Sequence, residues 1–234
     1  MTNVETPTVE RIRAAALMLF SAKGFAATGI RELADAAGLS SASLYHHMGT
    51  KDDLLIQIMT DGHERLLATA EMSIGGVERP DVRLARLVQV HVVMHAVHNR
   101  ECRVIDNEVR SLSDTAARTT IVELRDRYED MWSTTLRDGL AGGNFQFADI
   151  RLTTLALIDL CTGVAAWFRP DGDRDAFTVA THHVDLALAM VSARRSHRPV
   201  RAKDVHLLEP DWFTQQWNRP DTTPGTAGSS PLQR

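Results

Sequence analysis

Apolar residues recur at spacings of three and four along most of this chain, and the polar breaks between them carry helix start and stop signals. From Val9 to Gly24 the residues Ile12, Ala15, Ala16, Leu19 and Phe20 share one helical face, and Gly24 stops it. Thr28 reads as the cap of a second helix carrying Ile30, Leu33, Ala34 and Ala37, ended by Gly38. Ser40 caps a third, with Leu44 inward and Ser41, Ser43, Tyr45 and His46 outward. Thr50 opens a long connecting helix from Lys51 to about Ser73, with Leu54, Leu55, Ile58, Met59, Leu66 and Leu67 at its apolar positions and Gly75-Gly76 at its end. Pro80 starts a helix to about Asn99, Glu101–Leu112 forms a shorter one, and Ser113-Asp114 cap a long helix that Gly142-Gly143 ends. Segments from about Asp149 to Phe168 and from Asp175 to Arg194 complete the set. No strand-type alternation and no internal repeat interrupts the pattern. The prediction is an all-α fold of about nine helices, three of them in a small N-terminal domain.

Two short helices around a tight turn, with small polar and aromatic residues near the start of the second, suit a surface that enters the DNA major groove. The run ALMLFSAKGFAATGIRELADAAGLSSASLYHHMGTKDDLL closely resembles the TetR family of bacterial transcriptional regulators. It departs from the family pattern at Gly29, where Ser or Thr is common, at Ser41-Ala42, where Lys-Gly is common, and at Met48 and Thr50, where Phe and Ser are common. The absence of Lys at position 41 removes a frequent phosphate contact. The resemblance implies a helix-turn-helix domain over residues 1–50, a ligand-binding and dimerisation domain over 51–195 and a tail over 196–234. It also implies a homodimer on a palindromic double-stranded operator, acting as a repressor that a small molecule releases.

Charge narrows how DNA is held. The net charge is −4, and within Thr8–Leu55 the cations Arg11, Arg13, Lys23, Arg31 and Lys51 are balanced by Glu10, Glu32, Asp35, Asp52 and Asp53. Binding therefore rests on a few placed groups doubled by a dimer rather than on a basic surface. Lys51 and the helix-start amides near Thr28 and Thr50 are assigned to phosphates, and Tyr45 and His46 to phosphate or sugar. Ser41, Ala42 and Ser43 are the candidates to face bases. For Tyr45 and His47, packing within the domain is the competing expectation. Hydrophobic residues make up 44% of the chain, no apolar run is expected to span a bilayer, and MTNVETPTVER lacks a signal-peptide layout. Cys102 and Cys161 fall in helical patterns as reduced, buried thiols, consistent with a cytoplasmic protein without a membrane partner.

The Asp149–Phe168 segment is apolar on several faces, through Leu152, Leu155, Ile158, Leu160 and Val164, and its small residues Ala156, Gly163, Ala165 and Ala166 permit close approach. In the family such a helix joins a four-helix bundle with a second subunit. WFRPDG at Trp167–Gly172 and DNEVRSL at Asp106–Leu112 resemble a subgroup of actinobacterial TetR-like regulators. Several of these govern lipid or steroid catabolism and respond to acyl-coenzyme A thioesters. That resemblance implies an inducer whose chain lies among Met94, Val97, Met131, Trp132 and Leu136, with Trp167 and with Arg169 meeting phosphate or adenine. Equally, Trp167 and Arg169-Pro170 can simply end a helix.

His91, His95 and His98 share one helix face at spacing that can ligate a transition metal, with Glu108 or another His completing the shell and His182-His183 as further donors. Histidines satisfied by hydrogen bonds are the commoner case. A metal-dependent enzyme on that face lacks a nucleophile elbow, paired carboxylates or a phosphate loop, and a mere small-molecule carrier has no use for the helix-turn-helix. No cofactor is required. Beyond Ser196, Leu207, Leu208, Trp212, Phe213 and Trp217 are expected to dock on the body, and the Pro/Gly/Ser/Thr-rich stretch after residue 219 to be disordered.

Overall fold

Five of the described α-helices begin where a side chain satisfies end amides that have no partner within the helix. The computed structural model describes residues 7–217. Its N-terminal helices are α1 (Thr8–Lys23), α2 (Ile30–Ala37), α3 (Ser41–Met48) and α4 (Lys51–Ile74). Ser40 Oγ accepts from the Ser43 amide at 3.1 Å to start α3. At α4 the Thr50 hydroxyl accepts from the Asp53 amide at 3.0 Å while Asp53 accepts in return from the Thr50 amide at 2.8 Å. Gly38 ends α2 with φ 66°, the left-handed conformation that makes the sharp turn toward α3 and disfavours any side chain there.

Then follow α5 (Pro80–Val97), α6 (Asn99–Asn107), a short 3₁₀ turn (Val109–Ser111), α7 (Thr115–Ala141), α8 (Ile150–Thr162), α9 (Val164–Trp167) and α10 (Ala176–Met190). Asp114, Asp149 and Asp175 cap α7, α8 and α10 through their carboxylates. One core fills the space among α1–α3 and the first half of α4, built on Ile12, Phe20, Leu33, Leu44, Leu55 and Ile58. It continues into Val104 and Ile105 of α6 and Ile121 of α7, so it extends past the expected break at residue 50. The larger core surrounds α5, which lies between α4, α7, α8 and α10 and is buried on every side. Burying side chains such as Leu87, Val92 or Leu188 contributes roughly 1.5–3 kcal/mol each before the entropy of ordering is subtracted. At Gly139 the Phe145 ring lies where a Cβ would stand, 1.9 Å away, so the turn after α7 folds back onto its own helix.

The expected helix from Asp149 to Phe168 is broken at Gly163 into α8 and α9, and α10 ends at Met190 rather than Arg194. Ile150–Trp167 is nevertheless an 18-residue apolar stretch of mean hydropathy 1.4, which corrects the expectation that no run reaches bilayer-spanning length. Only 28% of that stretch is buried, and Leu152, Leu155 and Trp167 on it are exposed, as are Leu186 and Met190 on α10. Past Val191 the chain forms a strap that no strand-type alternation announced. A two-residue hairpin pairs β1 (Arg194–Arg195) with β2 (Arg198–Pro199) through a turn with positive φ at Ser196 and His197. A 3₁₀ turn (Ala202–Asp204) and α11 (Pro210–Trp217) follow. Phe213 is fully buried with the Trp212 ring against it, and Leu207 and Leu208 pack on the large core. The Gln89 side chain of α5 holds the Leu208 backbone at both its amide and its carbonyl, each at 2.8 Å. The expectations for the Trp217 side chain and for the Pro/Gly-rich stretch lie outside the described residues.

Candidate functional site

Helix α3 presents a largely solvent-facing outer surface. Leu44 is its buried anchor, while Ala42, Tyr45, His46 and His47 are exposed and Ser41 and Ser43 are half-buried. Tyr45 is 49% exposed, so it points outward instead of packing into the domain, and His47 is exposed beside His46. Two expected contacts are placed differently. Thr28 does not cap α2: Gly29 occupies that position, and the buried Thr28 hydroxyl donates to the Gly24 carbonyl at 2.9 Å. Lys51 donates to the carbonyls of Phe25 and Thr28 at 3.0 and 2.9 Å, with its ammonium 4.1 Å from the centre of the Phe25 ring. Two of its three donors are thus spent on tying α4 to the α1–α2 turn, because that turn leaves carbonyls which no helix amide can reach. Arg31, exposed at the first turn of α2, makes no ion pair among the described residues; sequence reasoning counted it without assigning it.

Helix α6 joins the two cores through carboxylates. Glu101, 6% exposed, accepts from Arg13 of α1 and, at 3.1 Å, from Arg65 of α4, while Arg13 also meets Asp61 at 2.8 Å. Glu108 accepts from the Phe25 amide at 3.0 Å and from the Ser111 hydroxyl. Asp106 reaches back to His95. The DNEVRSL segment therefore helps build the joint between the DNA-reading helices and the rest, through Glu108 on Phe25 and Asp106 on His95. Its signal in the sequence was the density of acidic groups on a helix that also carries Val104 and Ile105 inward.

His91 and His95 of α5 and His98 just past its end do not come together as a metal site. The His91 and His95 rings stack face to face with centroids 4.0 Å apart, so their lone pairs do not converge. His91 uses both ring nitrogens, on the Tyr128 hydroxyl at 2.9 Å and the Thr162 hydroxyl at 3.0 Å, and His95 Nδ1 donates to the His91 carbonyl. Neither Glu108 nor another His completes a shell, and no group of three candidate ligands stands together among the described residues. Burial, aided by the charges of His95 and His183, holds His91 well below the usual imidazole range. Burial also opposes charge on His95, but Cys102 and Asp106 outweigh it and raise its pKa to about 10. Burial pushes the Cys102 thiol up against the opposing pull of His95, and the Asp106 carboxylate stands on the other side with its Oδ2 3.3 Å from His95 Nε2. Stability from this pair is present below about 6.5 and lost as pH rises towards about 10. Asp106→Asn is expected to lower the melting temperature near neutral pH and to converge on the parent protein near pH 10. A deficit independent of pH in thermal unfolding would show that the pair carries no charge.

The expected ligand residues separate. Met94, Trp132 and Leu136 lie in the closed core, Met131 is half-buried, and Val97 is 47% exposed at the end of α5. They form no common slot, because the stacked histidines and Tyr128 fill the interior beside Trp132. Trp167 and Arg169 do meet, in a cavity of about 650 Å³ between the α9–α10 connection and α10. Phe168, Val179 and Leu186 give it apolar wall, Arg174 and Arg201 add cations, and the Trp167 ring stacks over the buried His183 at 6.2 Å.

Residues 12–58 match the family model of bacterial regulatory proteins of the tetR family, and residues 77–191 match the tetracyclin repressor-like C-terminal domain. The chain belongs to the TetR family. The HTH-type transcriptional repressor KstR2 of Rhodococcus jostii (strain RHA1) is 28% identical over 175 residues, 74% of this chain and 85% of that protein. A crystal structure of a bacterial regulatory protein in the tetR family from Rhodococcus RHA1 superposes with TM-score 0.73 at 31% identity, covering 82% of this chain and all of that one. AibR in complex with isovaleryl coenzyme A and operator DNA shares the fold, with TM-score 0.68 at 21% identity over 77% of this chain and 97% of its own. TetR-family proteins bind operator DNA and small-molecule effectors as dimers, and this TetR-family chain is a DNA-binding transcriptional regulator. Its strap after Val191 lies beyond the matched C-terminal region.

Proposed function

We propose that this regulator is a cytoplasmic repressor released from a palindromic operator by an acyl-coenzyme A thioester. The observation that carries the reading is the cavity at Trp167 and Arg169, which joins aromatic and aliphatic wall to guanidinium groups. An acyl thioester of coenzyme A needs both: apolar surface for its chain and cations for its phosphates. The KstR2 repressors among the relatives and the isovaleryl coenzyme A bound to AibR support it. On DNA, Ser41, Ala42 and Ser43 face bases, Tyr45 and His46 meet the backbone, and Arg31 supplies the phosphate contact that the spent Lys51 cannot. The exposed apolar faces of α8 and α10 bury against those of a second subunit, which sets the two α3 helices about one DNA turn, roughly 34 Å, apart.

Release follows from a population shift. Effector bound beside α9 and α10 favours one arrangement of the C-terminal helices, and α4 and α6 carry that preference to α1. Operator affinity is expected to fall at least tenfold when a matching thioester is added at fixed salt to the protein on its own upstream DNA. Fluorescence anisotropy showing the same operator affinity with and without bound thioester would refute release by that class of effector.

A further inference from the structure

We infer that the C-terminal strap, which lies outside the matched family domain, is part of the effector site and that Arg201 on it is a phosphate-binding, specificity-determining residue. The inference rests on the acyl-coenzyme A reading of the cavity and adds to it a group from a segment to which the family match assigns nothing. Arg201 is the strap's contribution to the wall that Trp167, Arg169, Arg174, His182 and Asp185 otherwise build.

Its backbone is fixed before any ligand arrives. The Ala202 amide donates to Asp185 Oδ1 of α10 at 2.7 Å, and the Arg201 amide donates to Asp204 Oδ2 at 2.9 Å. Arg195 in the hairpin binds the Asp204 carbonyl at 3.2 Å and the buried Asp81 carboxylate at 2.7 Å, which anchors the turn to the start of α5. Farther along, Gln89 and Phe213 hold the strap to the large core. A cation presented from a pinned backbone loses little freedom when it meets an anion.

The charge pattern says what kind of anion. Arg13, Arg65, Arg79, Arg83 and Arg195 are each committed to a carboxylate, whereas Arg169, Arg174 and Arg201 make no ion pair among the described residues. Two carboxylates line the same wall: Asp185, whose Oδ1 is taken by the strap, and Asp173. Three guanidiniums, two on the α9–α10 connection and one on the strap, suit separated phosphates, as in the diphosphate and the ribose phosphate of coenzyme A, better than a single carboxylate. Trp167, 54% exposed at the rim, offers an aromatic face for the adenine. The strap thereby lets this chain favour the thioester over the free acid.

The test compares the full chain with Arg201→Gln and Arg169→Gln by calorimetry, using coenzyme A, isovaleryl, octanoyl and palmitoyl coenzyme A, and the matching free acids. For a thioester the parent protein binds, Arg201→Gln is expected to weaken binding about 10- to 100-fold and to leave any binding of the free acid unchanged. Arg201→Lys is expected to restore part of the loss. Equal thioester affinity in the parent and Arg201→Gln proteins overturns the role of the strap while leaving the cavity's acyl-coenzyme A reading intact. Loss confined to dimerisation, read by sedimentation, overturns it too. Absence of binding of every thioester to the parent protein removes both.

Discussion

A charge placed on the exposed apolar face of α8 and α10 is expected to abolish operator binding without unfolding the protein. Leu152 and Leu186 are 66% and 53% exposed, so Leu152→Glu with Leu186→Glu costs the isolated subunit little. In a two-fold interface each substitution appears twice, and each carboxylate loses water against an apolar face. The expected species is a folded monomer. Linking two half-site contacts in one molecule raises affinity by about 10²–10⁴-fold, and a reader with so few cations depends on that gain. Operator affinity should therefore fall by at least about two orders of magnitude. Sedimentation velocity and anisotropy on the same samples decide it: a variant that stays dimeric, or a monomer with parental affinity, contradicts the assignment of this face.

Removal of the Glu101 carboxylate is expected to be the costliest single change at the joint between the cores. Glu101 is almost fully buried and accepts from guanidiniums on both α1 and α4. Glu101→Ala leaves Arg65 without a carboxylate and Arg13 with Asp61 alone, at 37% and 23% side-chain exposure. Breaking a fully buried pair costs roughly 3–5 kcal/mol, and partial access of water to both arginines reduces that to about 2–3 kcal/mol here. Glu101→Gln keeps the volume and should recover about half of it, since an amide oxygen still accepts. Urea denaturation measures the loss, and a change under about 1 kcal/mol would mean that the carboxylate does not hold α6 to α1. The same variant should blunt release by effector, because α6 then moves without carrying α1.

The helix-turn-helix was legible because its determinants are local. A cap hydroxyl at Ser40, a left-handed Gly38 and Leu44 at the one inward position of α3 each act within a few residues of themselves. Thr28 shows where such reasoning misleads. A threonine before an apolar run looks like a cap, yet its hydroxyl is captured by Gly24 four residues back, and nothing in the local pattern distinguishes the two partners. Lys51 is the same lesson at longer range. Its carbonyl partners, Phe25 and Thr28, belong to a turn 26 and 23 residues away. The histidines of α5 had the right spacing for a metal, but ring orientation is set by Tyr128, Thr162 and Asp106, which come from three other helices or their ends.

Periodicity, caps and stop residues by themselves determined an all-helical chain, the order of its helices and the presence of a DNA-reading motif, because backbone hydrogen bonding and amphipathic burial repeat every few residues. The choice of which polar groups become structural and which stay free was left to tertiary packing. That packing spends Lys51 and Glu101 on holding helices together, and it leaves Tyr45 and Arg31 on the outside. It also brings Arg201 from the strap to the wall that Trp167 and Arg169 begin. Such pairings join residues tens of positions apart, and their energies depend on burial and distance, neither of which is encoded in spacing along the chain.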